Sequence, residues 1–338
     1  MKGRKRKRPI SKAGRDFIIL SAVILITVVF SLVILPLFLV SVISDGAGEY
    51  SPDRTPRPVT VYLHKSGESV TLDLEDYVAG VVAGEMPASF EEEALKAQAV
   101  AARTYALSKI TRAEEGGNSA DHPDAPLCDD THCQVYRNEE ELLELKGQYW
   151  MDTGWQKILS AVNATAGQVM YYEGSLVEQP LFHSASGGQT ENSEDVFVSA
   201  LPYLRSVESL YEGEAPYQNE TISVSLSTFI KKVSDTYGAS SVSSGTIKIL
   251  SRSEGGRVDR IQVGDKTLTG RNIRDLFGLR SANFTFAFDG NENIVFTTRG
   301  YGHGVGMSQW GANGMAQAGF EYTEILKHFY SGVTIEDL

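Results

Sequence analysis

A run of 28 consecutive uncharged and mostly apolar residues, Phe17 to Ser44, constrains this chain more than any other feature. About 20 helical residues suffice to cross the hydrocarbon core of a bilayer, so the run is long enough to span one. Ahead of it, residues 1–16 hold Lys2, Arg4, Lys5, Arg6, Lys7, Arg8, Lys12 and Arg15 against the single acid Asp16, a basic tail of +7. Positive flanks stay cytoplasmic. The expectation is a single-pass chain, N-terminus in the cytoplasm, with everything after Asp45 on the other side of the membrane. A cleaved signal peptide is the competing reading, with Gly46, Ala47 and Gly48 as small residues, but its apolar region is usually about half this length. Pro36 either kinks the helix or marks its outer end.

The net charge of −12 with a +7 tail leaves the rest of the chain at −19. Nucleic-acid binding needs a basic face, so that acidic balance argues against nucleic acid as a partner. Residues 45–57 mix Gly, Pro, Ser and charge without periodicity and read as a linker. The folded part is expected over 58–338.

Apolar residues at Val59–Leu63 and Val70–Leu72 around Lys65-Ser66-Gly67-Glu68 predict a hairpin. A helix from Leu74 should stop beside Glu85, because Pro87 disfavours helical geometry at Met86. Ser89 followed by Glu92 resembles a capping box for the next helix. That helix places Leu95, Ala99, Ala102, Ala106 and Ile110 on one face, and Lys96, Arg103 and Gln98 on another. Residues 114–137 read as an inserted irregular loop. Helices are predicted near 138–146, 154–165, 226–237 and 271–277, with strands at 168–172 and 177–183 and further short strands after Pro202. The fold class is α+β: a transmembrane helix followed by a mixed helix and antiparallel-strand extracytoplasmic domain with a cleft.

Glu85 is a lone carboxylate among Val81, Val82, Met86 and Pro87. Desolvation there would raise its pKa and let it hold a proton near neutral pH. The plainer reading is an exposed acid at a helix end. The loop offers a second constellation, since the chain's two cysteines and two of its six histidines, His122, Cys128, His132 and Cys133, fall within twelve residues. Two thiolates and two imidazoles make a tetrahedral zinc set. A Cys128–Cys133 disulfide is the alternative outside the cytoplasm. Clustering this tight favours metal.

Gly300, Gly302, Gly304 and Gly306 alternate through Gly300–Gln309, so the backbone there must approach something closely. The run fails the G-x-G-x-x-G template and lacks a βαβ setting, which argues against a nucleotide loop. His303 within it either lines a cleft or is a satisfied histidine in a bend. Phe182–Gly188 holds His183, Ser184 and Ser186, but there is no G-x-S-x-G elbow, and the segment reads as cleft wall rather than a serine hydrolase site.

Four segments, GEMPASFEEEALKAQAVAARTYAL from Gly84, FHSASGGQTENSEDVF at 182–197, PYLRSV at 202–207 and RGYGHGVGMSQWGANGMA at 299–316, closely resemble the stage II sporulation protein D family. The resemblance implies a lytic transglycosylase of endospore formers, acting on peptidoglycan between the two membranes around the forespore during engulfment. It implies glycan strands stripped of stem peptides as substrate, with Glu85 as acid and then base. Ordinary glycosidases need two carboxylates. Here the sugar's own C6 hydroxyl would attack, giving 1,6-anhydro ends, so one suffices. The resemblance also implies substrate contacts at Lys96, Arg103, Tyr203 and Arg205, the last standing where lysine is expected. Arg103 in a buried ion pair and Tyr203 as a core aromatic are the alternatives. A zinc site of similar arrangement occurs in some members. Partners implied by the family are the amidase stage II sporulation protein P and the membrane protein stage II sporulation protein M, and the location is the septal or engulfing membrane. The rival reading is a glycan-binding enhancer of a cell-wall amidase. A third is a septal scaffold.

Overall fold

The computed structural model describes residues 56–290 and 292–338, together with Phe30. The expected basic tail, the membrane helix apart from Phe30, and all but the last two residues of the linker lie outside the described residues. Among the described residues no helix is long and apolar enough to cross a membrane. From Thr55 to Leu338 the chain forms one compact unit of mixed helices and strands.

Two buried apolar clusters organise that unit. The first gathers around the helix Glu92–Gly116, whose residues from Ala94 to Ala106 are all buried except Lys96. Six of those buried positions are alanine, so neighbours approach the helix on every side, and a helix so enclosed is a core element. Against it pack the helices Leu74–Glu85, Gln156–Ala164, Gln309–Gln317 and Tyr322–Phe329 and the strand Gln168–Tyr172. The sequence expectation of a polar face on this helix fails here, because Gln98 and Arg103 are buried too.

Arg103 is wholly enclosed, and its guanidinium meets the Glu75 carboxylate through Nε at 2.9 Å and through Nη2. Its Nη1 also donates to the Gln168 carbonyl at 3.1 Å, and the Gly167 amide donates to Glu75 at 3.0 Å. One ion pair therefore ties the first helix, the central helix and the entry to the strand Gln168–Tyr172. The fork of Arg103 is engaged by the scaffold, the buried ion pair that is the alternative to a substrate contact.

The second cluster centres on Phe229, Ile261, Ile273, Phe284 and Phe296. Strands Ile247–Arg252, Val258–Val263 and Lys266–Thr269 form one antiparallel meander. Strands Gln218–Ser225, Phe284–Asp289 and Asn293–Arg299 form another, with helices Leu226–Tyr237 and Gly270–Phe277 packed on the same core.

The expected hairpin is present as Pro58–Leu63 paired with Glu68–Asp73. Two expectations need correction. No capping box forms at Ser89: the helix starts after Glu91, whose amide donates instead to Asn313 Oδ1 at 2.8 Å. The run 177–183 is strand only at Phe182–His183, preceded by the short strand Ser175–Leu176. Pro180 cannot donate to a ladder, and the Gln179 amide is taken by the Tyr203 hydroxyl at 3.2 Å.

Breaking a buried ion pair by removing one partner costs about 3–5 kcal/mol. Arg103→Met is therefore expected to destabilise the domain by about that amount in urea unfolding, with Glu75→Gln added to it recovering part of the loss. A loss below about 1 kcal/mol, the scale of exposed pairs, would contradict the central role of this contact.

Candidate functional site

Glu85 is the last residue of the helix Leu74–Glu85, which Asp73 caps by accepting the Glu75 amide. The helix stops there because Met86, ahead of Pro87, is extended at φ −122° and ψ 144°. Gly80 and Gly84 lie on one face, four residues apart. A Cβ on Gly84 would sit 2.5 Å from the Val135 carbonyl oxygen, and one on Gly80 2.4 Å from the Tyr136 ring. With only hydrogens there, residues 134–137 lie directly on the helix, and the Val135 amide donates to Glu85 Oε1 at 2.8 Å.

Glu85 opens into a cleft of about 1040 Å³. One wall is Pro87, Phe90, Tyr105 and the loop Thr131–Val135; the facing wall is Phe182–Ser184, Tyr301–His303, Gln309 and Trp310. Trp310 sits edge-on to Phe90, with ring centroids 4.8 Å apart, and its amide donates to the Ser184 carbonyl at 3.0 Å. Burial pushes the half-buried Glu85 carboxyl above the usual carboxylate range, while hydrogen bonds from the Val135 amide and the Gln309 side chain pull the other way. The helix C-terminus, with no basic residue in its last turn, adds to the upward push. The result is an acid that keeps its proton at higher pH than a free glutamic acid, with two donors ready for the carboxylate.

The glycine-rich segment shapes the facing wall. Gly304 and Gly306 have φ of +87° and +72°, and a Cβ on them would lie 2.0 Å from Arg257 Cζ and 2.0 Å from the Leu181 carbonyl oxygen. What the segment approaches closely is thus the chain at 181–186 and the buried Arg257, itself paired with Glu191 at 3.2 Å. His303 accepts the Val305 amide on Nδ1 at 3.1 Å, so its proton sits on Nε2. Burial, aided by the charge of Arg257, lowers its pKa to about 4. His183, 5.5 Å away between ring centroids, is fully buried and held well below the usual value by the same cause. Both imidazoles stay neutral near pH 7 and form wall rather than proton donors.

His122, Cys128, His132 and Cys133 bring their ligand atoms within 4.8 Å of one another. His122 Nε2 is 3.1 Å from His132 Nδ1 and 3.4 Å from Cys133 Sγ, and both cysteines are free thiols. Tetrahedral zinc, with bonds of about 2.0 Å to nitrogen and 2.3 Å to sulfur, separates its ligands by distances of this order. The donor set fits that metal.

Comparison with known proteins adds a lineage to this geometry. The pattern of the family described as Stage II sporulation protein matches residues 62–172. The chain is 40% identical over 286 residues to the stage II sporulation protein D of Bacillus amyloliquefaciens, covering 84% of this chain and 80% of the relative. The chain belongs to the stage II sporulation protein D family. Its counterpart of that name in Bacillus subtilis is 39% identical over 284 residues, again 84% and 80%. The amidase enhancer of Bacillus subtilis is 29% identical over 307 residues, 76% of this chain and 40% of that protein.

Of the residues expected from sequence to meet a ligand in this stage II sporulation protein D family member, Glu85 and His303 line the cleft, as do the candidate metal ligands His132 and Cys133. Four others are outside its lining. Lys96 is held by Glu92 and Glu93 at 3.0 and 2.8 Å, and Arg103 by Glu75. Tyr203 is buried against Tyr172, with its hydroxyl spent on Gln179. Arg205 forks onto Glu194 and closes the turn after Ser193. Gln309, Arg257, Glu191, Arg271 and Arg274 line the cleft without having been singled out. For Gln309 the position after an alternating-glycine run was a usable signal. The other four carry none.

Gln309→Met removes one of the two donors to Glu85. The carboxyl pKa is then expected to move further up, read by a carbon-13 side-chain titration. A downward shift or none would take Gln309 out of the electrostatics of the site.

Proposed function

We propose that this chain is a peptidoglycan lytic transglycosylase of sporulation, cleaving the MurNAc–GlcNAc bond of stripped glycan strands and leaving 1,6-anhydro-MurNAc ends. The observation that carries the reading is Glu85: a carboxyl in the cleft, its pKa raised by burial, with the Val135 amide and Gln309 placed to stabilise its ionised form. Neutral Glu85 gives its proton to the glycosidic oxygen as the C1–O bond breaks. The C6 hydroxyl oxygen then bonds to C1, and its proton returns to the Glu85 carboxylate, which ends as it began. Burial favours the acid needed first, and the two donors favour the base needed second. A second carboxylate to activate water has no part in this scheme.

The loop ligands His122, Cys128, His132 and Cys133 hold one zinc ion whose contribution is folding energy for the loop that carries Val135. Residues 17–44 anchor the chain in the septal or engulfing membrane with the domain outside the cytoplasm. Removal of stem peptides falls to a cell-wall amidase, stage II sporulation protein P, with the membrane protein stage II sporulation protein M as a further partner. The likeness to an amidase enhancer supports a second reading, in which the domain grips glycan and stimulates an amidase without cutting.

Glu85→Gln keeps shape and the bond from Val135 but removes the titrating proton. Anhydro ends are expected to vanish from digests of stripped strands while strand binding persists. For the wild type, rate should fall as pH rises through the elevated Glu85 pKa, so the alkaline limb lies above the ordinary carboxylate range. Unchanged cleavage by Glu85→Gln sinks the mechanism, and a wild type that binds but never cuts favours the enhancer. For the loop, elemental analysis should give one zinc per chain, lost in Cys128→Ser with a lower melting temperature. Protein without metal and without titratable thiols would mean a disulfide instead.

A further inference from the structure

Part of the cleft lining is supplied by the second core, through the helix Gly270–Phe277 and its neighbours. Arg271 and Arg274 both reach the cleft from this helix. Arg271 donates to the Val196 carbonyl at 3.2 Å and lies 6.0 Å from the centre of the Phe197 ring. Phe197 in turn packs on His303, with centroids 5.5 Å apart, so the arginine is one aromatic ring removed from the wall histidine. Its pairing with Asp275 is loose, 3.7 Å between two exposed side chains. Arg274 is half-buried and has no hydrogen bond or ion pair from its guanidinium among the described residues.

The acids lining the same region are otherwise engaged or peripheral. Glu191 is committed to Arg257, which sits buried behind Gly304. Asp195 accepts from Asn192 at 3.3 Å and Asp259 from Ser251 at 2.7 Å, and both are exposed. The charges of Arg257, Arg274 and Arg271 all act on His303 and help keep it neutral. A guanidinium offers five N–H donors in a planar fork that fits a carboxylate by two parallel bonds. Arg274 has that fork idle and facing a cleft.

We infer that Arg274, flanked by Arg271, is a carboxylate-binding subsite of the cleft, and that it recognises a carboxylate carried by the glycan strand away from the bond being cut. The inference rests on the reading that the cleft takes peptidoglycan. Two carboxylate sources exist on such strands: the lactyl ether of a stripped muramic acid, and the stem peptide where it remains, in which case the lactyl group is an amide.

The test uses the full chain in detergent carrying Glu85→Gln, so that strands bind without turnover, with the change in intrinsic tryptophan fluorescence, to which Trp310 of the cleft contributes, as the probe. Three matched oligosaccharides are compared: stripped strands, strands whose lactyl carboxylates have been converted to neutral methylamides, and strands with stem peptides. Arg274→Gln is expected to weaken binding of one carboxylate-bearing strand by about tenfold or more, the scale of a charge-assisted hydrogen bond, with little change for the methylamide strand. Arg274→Lys should recover part of the loss. A loss confined to stripped strands identifies the lactyl carboxylate, and one confined to peptide-bearing strands identifies the stem. Equal losses for all three, or none, overturn the subsite. If the parent protein binds no strand, the glycan reading falls and the subsite with it. If the Arg274 effect holds but protein with Glu85 intact forms no anhydro ends, only the transglycosylase reading falls.

Discussion

The contact on which the rest of the site depends is the close approach of residues 134–137 to the helix Leu74–Glu85. Helical glycine is costly, by about 1 kcal/mol relative to alanine, yet this helix carries it at Gly80 and again at Gly84. Each leaves room for the crossing segment, and the Arg137 amide bonds the Gly80 carbonyl at 3.2 Å while the Val135 amide bonds Glu85. Two residues before Val135 stands Cys133, a member of the cluster of two histidines and two cysteines. The cluster and the carboxyl are thus two ends of one short segment. Whatever fixes the loop also fixes the donor on the acid.

A second dependence joins the two cores. The alternating glycines from Gly300 to Gly306 let the chain after the strand Asn293–Arg299 run along residues 181–186 and over the guanidinium of Arg257. Arg257 lies in the turn between the strands Ile247–Arg252 and Val258–Val263, and its partner Glu191 in the segment it is paired with. Its Nη2 donates to the Ser186 carbonyl at 3.2 Å, so a single buried cation ties the segment 186–191 to a turn distant in sequence. The helix that follows the glycines then delivers Gln309 to Glu85. His183 ties the facing wall to the glycine-rich segment through its Nδ1, 3.2 Å from the Val305 carbonyl.

Much of this was legible in the residues alone, and the exceptions share a cause. The hairpin, the stop at Met86, the alternation of glycines and the His and Cys cluster are local features, set by neighbours within a few positions. Whether Lys96, Arg103, Tyr203 and Arg205 face a ligand or the scaffold depends on partners such as Glu75, 28 residues away from Arg103. A charged side chain on an alanine-rich helix reads the same from either side of that choice. Arg257 sits in a turn between short strands and Arg274 on the helix Gly270–Phe277, so their convergence on the cleft appears only when the second core is assembled. Ser89 misled for a related reason: a distant asparagine, Asn313, supplies the helix start with its acceptor.

The chemistry at Glu85 rests on opposing influences of comparable reach rather than on burial alone. A carboxyl desolvated without donors would be a durable acid and a poor place to leave a negative charge. One with donors and full solvent would lose its proton well below neutral pH. Glu85 stands between, with the desolvation of its apolar neighbours dominant and two hydrogen bonds, from opposite walls, set against it. A single group asked to give a proton and then take one back needs its two states close in free energy at the working pH. Because one donor comes from the loop and the other from the helix after the glycines, that balance exists only when both walls are in place. On the proposed reading, this balance is what lets Glu85 serve first as acid and then as base.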